Sequence, residues 1–175
     1  MNLMRKIKIE KVTLNIGAGK DQTVLKKGEK LIQNITGIKP VTTKTNKRIP
    51  TWSLRPGLPI GVKLTLRGTK ALELLPKLLS SKSNVLKETN FDNAGNLSFG
   101  IPEYVDIDGV KYDPEIGIMG LQVCVTIERP GYRVKKKKLR NSFVGKAHKV
   151  TKDESIDFMK KNFKIEMAKD DEEDD

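Results

Sequence analysis

The chain has one cysteine, one histidine and one tryptophan among 175 residues, and aromatic residues make up only 5% of it. A lone cysteine excludes an intrachain disulfide, and one His with one Cys leaves no His/Cys set for a zinc site. No apolar run approaches the ~20 residues that would cross a bilayer. No basic amphipathic helix with an aromatic apolar face points to a membrane surface. The start, MNLMRKIKIE, carries charges before any apolar run, so no secretory leader is expected. A reducing, intracellular and cytoplasmic setting is the expectation. Negative charge is missing from one long stretch: residues 129–149 hold nine Lys or Arg and no Asp or Glu.

Positive charge is what the chain has in excess. It carries 34 Lys plus Arg against 22 Asp plus Glu, a net +12. The last six residues, Asp170 to Asp175, are all acidic, so residues 1–169 carry 34 bases against 16 acids, a net +18. A folded body with that excess repels itself until a polyanion neutralises it, and nucleic acid is the usual one. The acidic tail, 170–175, is expected to be disordered.

One stretch concentrates these features. Val41 to Lys63 reads VTTKTNKRIPTWSLRPGLPIGVK, with Lys44, Lys47, Arg48, Arg55 and Lys63 and no acid. It starts and ends as strands, with a Pro- and Gly-containing loop between. Basic side chains meet phosphates, and Trp52 offers a ring for stacking. A solvated loop, with Trp52 packed on its own prolines, is the competing interpretation.

The rest of the chain supplies a scaffold. Ile7, Ile9, Val12, Leu14 and Ile16 alternate along a first strand, with a phase slip at Glu10-Lys11 that marks a bulge. The Gly17-Ala18-Gly19-Lys20 exit is no phosphate loop: Leu14 and Asp21 stand where Gly and Ser or Thr are needed. Gln22 likewise breaks a dinucleotide fingerprint. Val24, Leu25, Leu31, Ile32 and Ile35 share one face of a helix over 22–36, with Asp21 as its cap, Gly28 for close packing and Gly37 as its stop. Val62, Leu64 and Leu66 alternate with Lys63, Thr65 and Arg67 in a half-buried strand. Thr69 is expected to cap a Leu-rich second helix, kinked at Pro76.

Leu97, Phe99 and Ile101 alternate, and Val105, Ile107, Val110 and Tyr112 flank Asp108-Gly109 as a hairpin would. Tyr112 to Gly120 reads as an ordered loop. Leu121, Val123, Val125 and Ile127 form the clearest strand, with Cys124 expected to be a packed thiol rather than a nucleophile. Thr151 to Glu154 reads as a capping box opening a last helix. Together these give an α+β, two-layer sandwich: a mainly antiparallel sheet, helices on one face, and long basic loops. Residues 1–169 are expected to form one domain, with a basic arm over 129–149.

Catalytic parts are missing. Asp106, Asp108, Asp113 and Glu115 match no cation-loop spacing, and nothing marks Cys124 or His148 as activated. No recognition helix for duplex DNA stands out. Strand, loop and arm charges suit RNA, although Lys135 to Arg140 also fits a flexible solubilising arm.

Three segments carry a family resemblance: VTLNIGAGK (Val12–Lys20), TTKTNKRIPTWSLRPGLPIGVKLTLRG (Thr42–Gly68) and FGIPEY (Phe99–Tyr104). They resemble the 5S-rRNA-binding large-subunit ribosomal protein of the "L five" family. YDPEIGIMGLQVCVTIERPGYRVKKKK (Tyr112–Lys138) is similar to its archaeal or eukaryote-like branch. The resemblance implies a structural, non-enzymatic RNA-binding protein of the central protuberance. It implies 5S rRNA contacts at Asn15, Thr43, Lys44, Thr45, Asn46, Lys47 and Arg48. A loop from Thr51 to Leu58, bearing Trp52 and tipped by Arg55, Pro56 and Gly57, would reach the peptidyl-site tRNA. Arg133, Lys135, Lys136, Lys137, Lys138 and Arg140 would add large-subunit rRNA contacts. A small-subunit head protein and neighbouring large-subunit proteins are further expected partners; no cofactor, metal, membrane or small-molecule substrate is. An off-ribosome RNA-binding or assembly factor is the alternative from another class.

Overall fold

The computed structural model describes residues 2–168; the acidic run 170–175 lies outside them. The alternation of Val12, Leu14 and Ile16 makes strand β1 (Lys8–Gly17), with all three side chains buried. The phase slip is a register shift between Ile9 and Lys11. Helix α1 (Gln22–Thr36) follows, then β2 (Val41–Lys44), β3 (Pro59–Leu66), α2 (Thr69–Ser80) and the short β4 (Val85–Leu86). After these come β5 (Leu97–Ile101), β6 (Leu121–Glu128), a single turn of helix α3 (Arg133–Lys136), α4 (Lys152–Phe163) and β7 (Glu166–Met167).

The main sheet has the order β2-β3-β1-β6-β5, and every neighbouring pair is antiparallel. β4 and β7 form a separate two-stranded parallel pair. Because side chains alternate across a strand, one sheet face collects Leu14, Val62, Leu64, Leu97, Phe99, Val123 and Val125, all buried. Helix α1 packs over β3 and α2 over β1 on that face. Their buried stripes are Leu25, Gly28, Leu31 and Ile32, and Ala71, Leu74, Leu75, Leu78 and Leu79. Gly28 sits where an added Cβ would come 3.3 Å from Ile16 Cγ2, so its missing side chain sets the helix–sheet distance. Ile156 and Met159 of α4 join the same apolar cluster, and Ser155 Oγ donates to the Gly95 carbonyl at 2.6 Å. Thr151 and Glu154 form the expected capping box.

Four local expectations are corrected. Asp21 occupies the N-cap of α1 but makes no side-chain cap bond. Gly68, at φ 67°, precedes α2, so Thr69 is its first residue rather than its cap. Pro76 lies on the exposed side of α2, where water can reach the carbonyl that its missing N–H leaves free. No hairpin forms over 105–112. Tyr104–Asp106 is a 3₁₀ turn, and the buried Tyr104 phenol accepts the Asp113 N–H at 2.9 Å, doing the work of a ladder bond. Cys124 is exposed: its neighbours Val123 and Val125 take the core side of β6, so the thiol stands on the other face.

Leu14 is fully buried at the sheet's centre. Leu14→Ala is expected to lower the unfolding free energy by about 2–5 kcal/mol, read from the midpoint of urea denaturation.

Candidate nucleic-acid interface

Helices α1 and α2 lie on the packed face, α3 reaches the second face only at its Glu128 end through Lys136, and the pairing register fixes what the rest of that face shows. Val41, Lys63, Asn15, Gln122 and Gly100 stand opposite one another in a row across all five strands. Thr65, Thr13, Cys124 and Ser98 form the next row. Most of these residues are polar or small, so backbone and short side chains lie open. Asn15 Nδ2 donates to Gln122 Oε1 at 3.1 Å in the middle of the face. At Gly61 an added Cβ would lie 3.0 Å from Thr43 Oγ1, so the glycine lets Thr43 lie across β3. A trough of about 580 Å³ ends the face, with Asn15, Gly17, Lys82, Gly100 and Gln122 on its walls.

The loop after β2 is built from nested hydrogen bonds. Thr45 N–H donates to the Leu58 carbonyl at 2.9 Å, and Gly57 N–H donates to the Thr45 carbonyl at 2.8 Å. Further out, Ile49 and Leu54 exchange backbone bonds of 3.1 and 3.0 Å. Two turns result. Arg55 to Leu58 closes with Leu58 N–H on the Arg55 carbonyl at 3.1 Å. Pro56 and Gly57, the latter at φ 86°, occupy its centre, the residue pattern of a type II turn. Pro50 to Ser53 forms the outer tip, a 3₁₀ turn ended by Ser53 at φ 55°. Leu54 is buried and anchors this tip.

Two expected positions change. The outer tip is Pro50–Ser53, with Trp52 65% exposed, whereas Arg55, Pro56 and Gly57 fold back beside Thr45. Thr45 is only 7% exposed. Its hydroxyl donates to the Lys47 carbonyl at 2.9 Å and accepts the Lys47 N–H at 3.3 Å. It therefore shapes the loop from inside, while Thr43 is half-buried and Lys44, Asn46, Lys47 and Arg48 are exposed. Lys44, Lys47, Arg48, Arg55 and Lys63 make no salt bridge among the described residues.

The arm over 129–149 is tethered rather than extended. Arg129, 6% exposed, donates to the Ala147 and Lys149 carbonyls and pairs with Glu154. Tyr132 accepts the Val150 N–H at 3.0 Å, and His148 Nε2 lies 2.8 Å from the Pro130 carbonyl. Lys136 is turned inward onto Glu10 and Glu128. Its partial burial opposes the charge, but the two carboxylates outweigh this and raise its pKa. Arg133, Lys135, Lys137, Lys138 and Arg140 are exposed and, among the described residues, free of ion pairs.

The carboxylates near Asp113 serve the fold. Lys30 bonds Asp113 and Glu115, which raises the lysine's pKa, and its hydrogen bond holds Asp113 below the usual carboxylate value. Among the described residues no group of three or more His, Cys, Asp or Glu could hold a metal ion, and no helix is long and apolar enough to cross a membrane.

Gln122 and Lys82 escape sequence reasoning. Asn15 and Gln122 are 107 positions apart, and only the β1–β6 register brings them together. The alternation in β6 did contain a signal, since Gln122, Cys124 and Thr126 must face away from Val123 and Val125.

A sheet with one face packed and the other polar, bordered by cations that have no ion pair among the described residues, defines a basic scaffold protein with an open platform. Comparison with known proteins gives the family. Residues 2–55 match the model of ribosomal protein L5, and residues 59–158 match the model of the C-terminus of the same ribosomal family. Large ribosomal subunit protein uL5 of Sulfolobus acidocaldarius is 49% identical over 164 residues, covering 94% of this chain and 92% of the relative. The protein of that name from Nanoarchaeum equitans is 48% identical over 165 residues, 94% and 97% of the two chains. That from Methanosphaera stadtmanae is 46% identical over 165 residues, 94% and 98%. The chain belongs to the L5 family of large-subunit ribosomal proteins, in a form like those of archaea. This is a structural family of the ribosome, a cytoplasmic complex, and not one of enzymes.

Two measurements probe the construction of the site. Thr45→Val removes both hydroxyl bonds at nearly constant shape and is expected to cost about 1–3 kcal/mol, read by chemical denaturation. For Asp113 the folded pKa is depressed, so its stabilisation is present above the ordinary value of 3.8 and is lost as pH falls through the folded value. Lys30→Gln should therefore destabilise the protein at pH 7 and shrink the difference from wild type under acid, read from thermal midpoints across pH.

Proposed function

We propose that this chain is a structural constituent of the large ribosomal subunit that binds 5S rRNA and helps attach it in the central protuberance. The observation that carries this reading is the open sheet face, where Asn15, Gln122 and Lys63 align across three neighbouring strands. Lys44, Lys47 and Arg48, exposed and without ion pairs among the described residues, follow that face at the exit of β2. Lys and Arg neutralise phosphates and release counterions. Asn15, Thr43, Asn46 and Gln122 position the backbone through hydrogen bonds. The packed helices behind the sheet keep this platform rigid.

The outer turn, Pro50–Ser53, presents Trp52 toward a second RNA, which we assign as the peptidyl-site tRNA. Arg55, with Pro56 and Gly57, supports that turn from its base and adds a cation. The arm's exposed Arg133, Lys135, Lys137, Lys138 and Arg140 contact large-subunit rRNA. Lys136 instead holds the arm to β1 and β6. Residues 1–169 act as one unit, with a small-subunit head protein and neighbouring large-subunit proteins as further partners.

Lys44→Gln with Lys47→Gln is expected to weaken 5S rRNA binding and to reduce the slope of log K against log salt by about 1–2. Filter binding across a salt series measures both, and an unchanged slope would refute this placement. Co-sedimentation with large subunits in moderate salt separates the scaffold from an off-ribosome assembly factor. Presence only in ribosome-free fractions would favour the latter.

A further inference from the structure

The basic arm encloses a feature that charge alone does not explain. Phe143 is 96% exposed, in a chain with few aromatics. It shares a cavity of about 460 Å³ with Tyr132, Val144, Val150, Lys135 and Lys149. That volume lies within the roughly 300–1,000 Å³ range of small-ligand sites. One wall is prebuilt. The Tyr132 hydroxyl is fixed by the Val150 N–H, and it reaches the His148 carbonyl at 3.4 Å. A second wall is the turn Asp92–Gly95, where the Gly95 N–H closes on the Asp92 carbonyl at 2.9 Å. Gly95 is packed so closely on Val150 that an added Cβ would come within 2.9 Å of Val150 Cγ1. Against these fixed walls, the Phe143 ring is left almost wholly in water.

We propose that Tyr132 and Phe143 form a receptor for a single unstacked nucleobase of rRNA, with Lys135 and Lys149 holding the phosphates on either side. The proposal rests on the RNA-binding function given above and adds to it a base-stacking site on the arm, separate from the rows of the open sheet face. The charge around the cavity selects the occupant. Residues 129–149 contain nine Lys or Arg and no acid, which favours a polyanion over an apolar peptide. Aromatic rings interleaved with cations are the arrangement that grips single-stranded nucleic acid. Asp92 does not oppose this. Its carboxylate is occupied within its own turn, accepting from the Ala94 N–H and from Asn96 Nδ2. An unpaired base needs no sequence code here, because every base offers a ring face.

The probe is oligoadenylate, r(A)6, titrated into the full chain, with inorganic polyphosphate as a baseless control. Phe143→Ala is expected to weaken r(A)6 binding roughly 5- to 150-fold, while Phe143→Trp preserves it. Polyphosphate affinity and the salt slope should not change, since no charge is removed. Phe143 is so exposed that neither variant threatens the fold. In the wild type, r(A)6 should move the aromatic NMR signals of Tyr132 and Phe143 upfield through base stacking, a ring-current shift that polyphosphate held by the same lysines should not produce. Equal r(A)6 affinity for wild type and Phe143→Ala, or unmoved ring signals, would overturn the proposal and leave the ring to a protein partner. Loss of the base site with intact 5S rRNA binding would leave the open-face platform standing. Failure of Lys44→Gln with Lys47→Gln to alter 5S rRNA binding would instead strike the platform.

Discussion

Everything in this molecule depends on the burial of one sheet face. β1 lies at the centre of five strands and supplies Val12, Leu14 and Ile16 to the packed side. Period-two alternation then leaves the opposite side to Thr13 and Asn15, and the antiparallel register aligns Lys63, Gln122 and Gly100 with them. A one-residue slip would reverse both faces at once, so the apolar energy that fixes the core also fixes the platform. The bulge between Ile9 and Lys11 ends the strict alternation near the strand's start, away from Asn15.

Charge is distributed according to two different needs. Cations the fold uses are paired: Lys30 with Asp113 and Glu115, Arg129 with Glu154, Lys136 with Glu10 and Glu128, Lys152 with Glu88. Cations around the open face and on the arm's outer surface have no such partners among the described residues. The unpaired set is left on exposed surfaces, free to meet a polyanion. A polyanion meeting these surfaces would supply the countercharge that the fold withholds from these side chains.

The arm shows how a basic run becomes a structured element. By composition it could have been a solubilising tail. Arg129 and Tyr132 instead bond backbone groups near its far end, so both ends of the run are held close together. The Lys run is thereby displayed as a loop, and Phe143 is carried out with it. The β2–β3 connection is made the same way, with Thr45 and Leu54 buried beneath the exposed cations and Trp52.

The sequence by itself determined the elements whose evidence is local. Alternation gave β1, β3, β5 and β6, helical spacing gave α1 and α2, and Thr151 with Glu154 gave the start of α4. It also determined the family, through segments such as Val12–Lys20 and Thr42–Gly68, and with it most of the cationic rim. Where local patterns competed with tertiary contacts they misled. The alternation at 105–112 yielded to the Tyr104–Asp113 bond. Cys124 is a different case: the alternation of β6 already turned it away from the core, and the expectation of a packed thiol ignored that pattern. Only the tertiary structure decided that Gln122 stands beside Asn15, that Thr45 turns inward, that Lys136 is already paired, and that Tyr132 and Phe143 share a cavity. The physical reason is distance along the chain. Burial patterns are written within a few residues, whereas register, ion pairing and cavity walls join segments that only the closed sheet brings together.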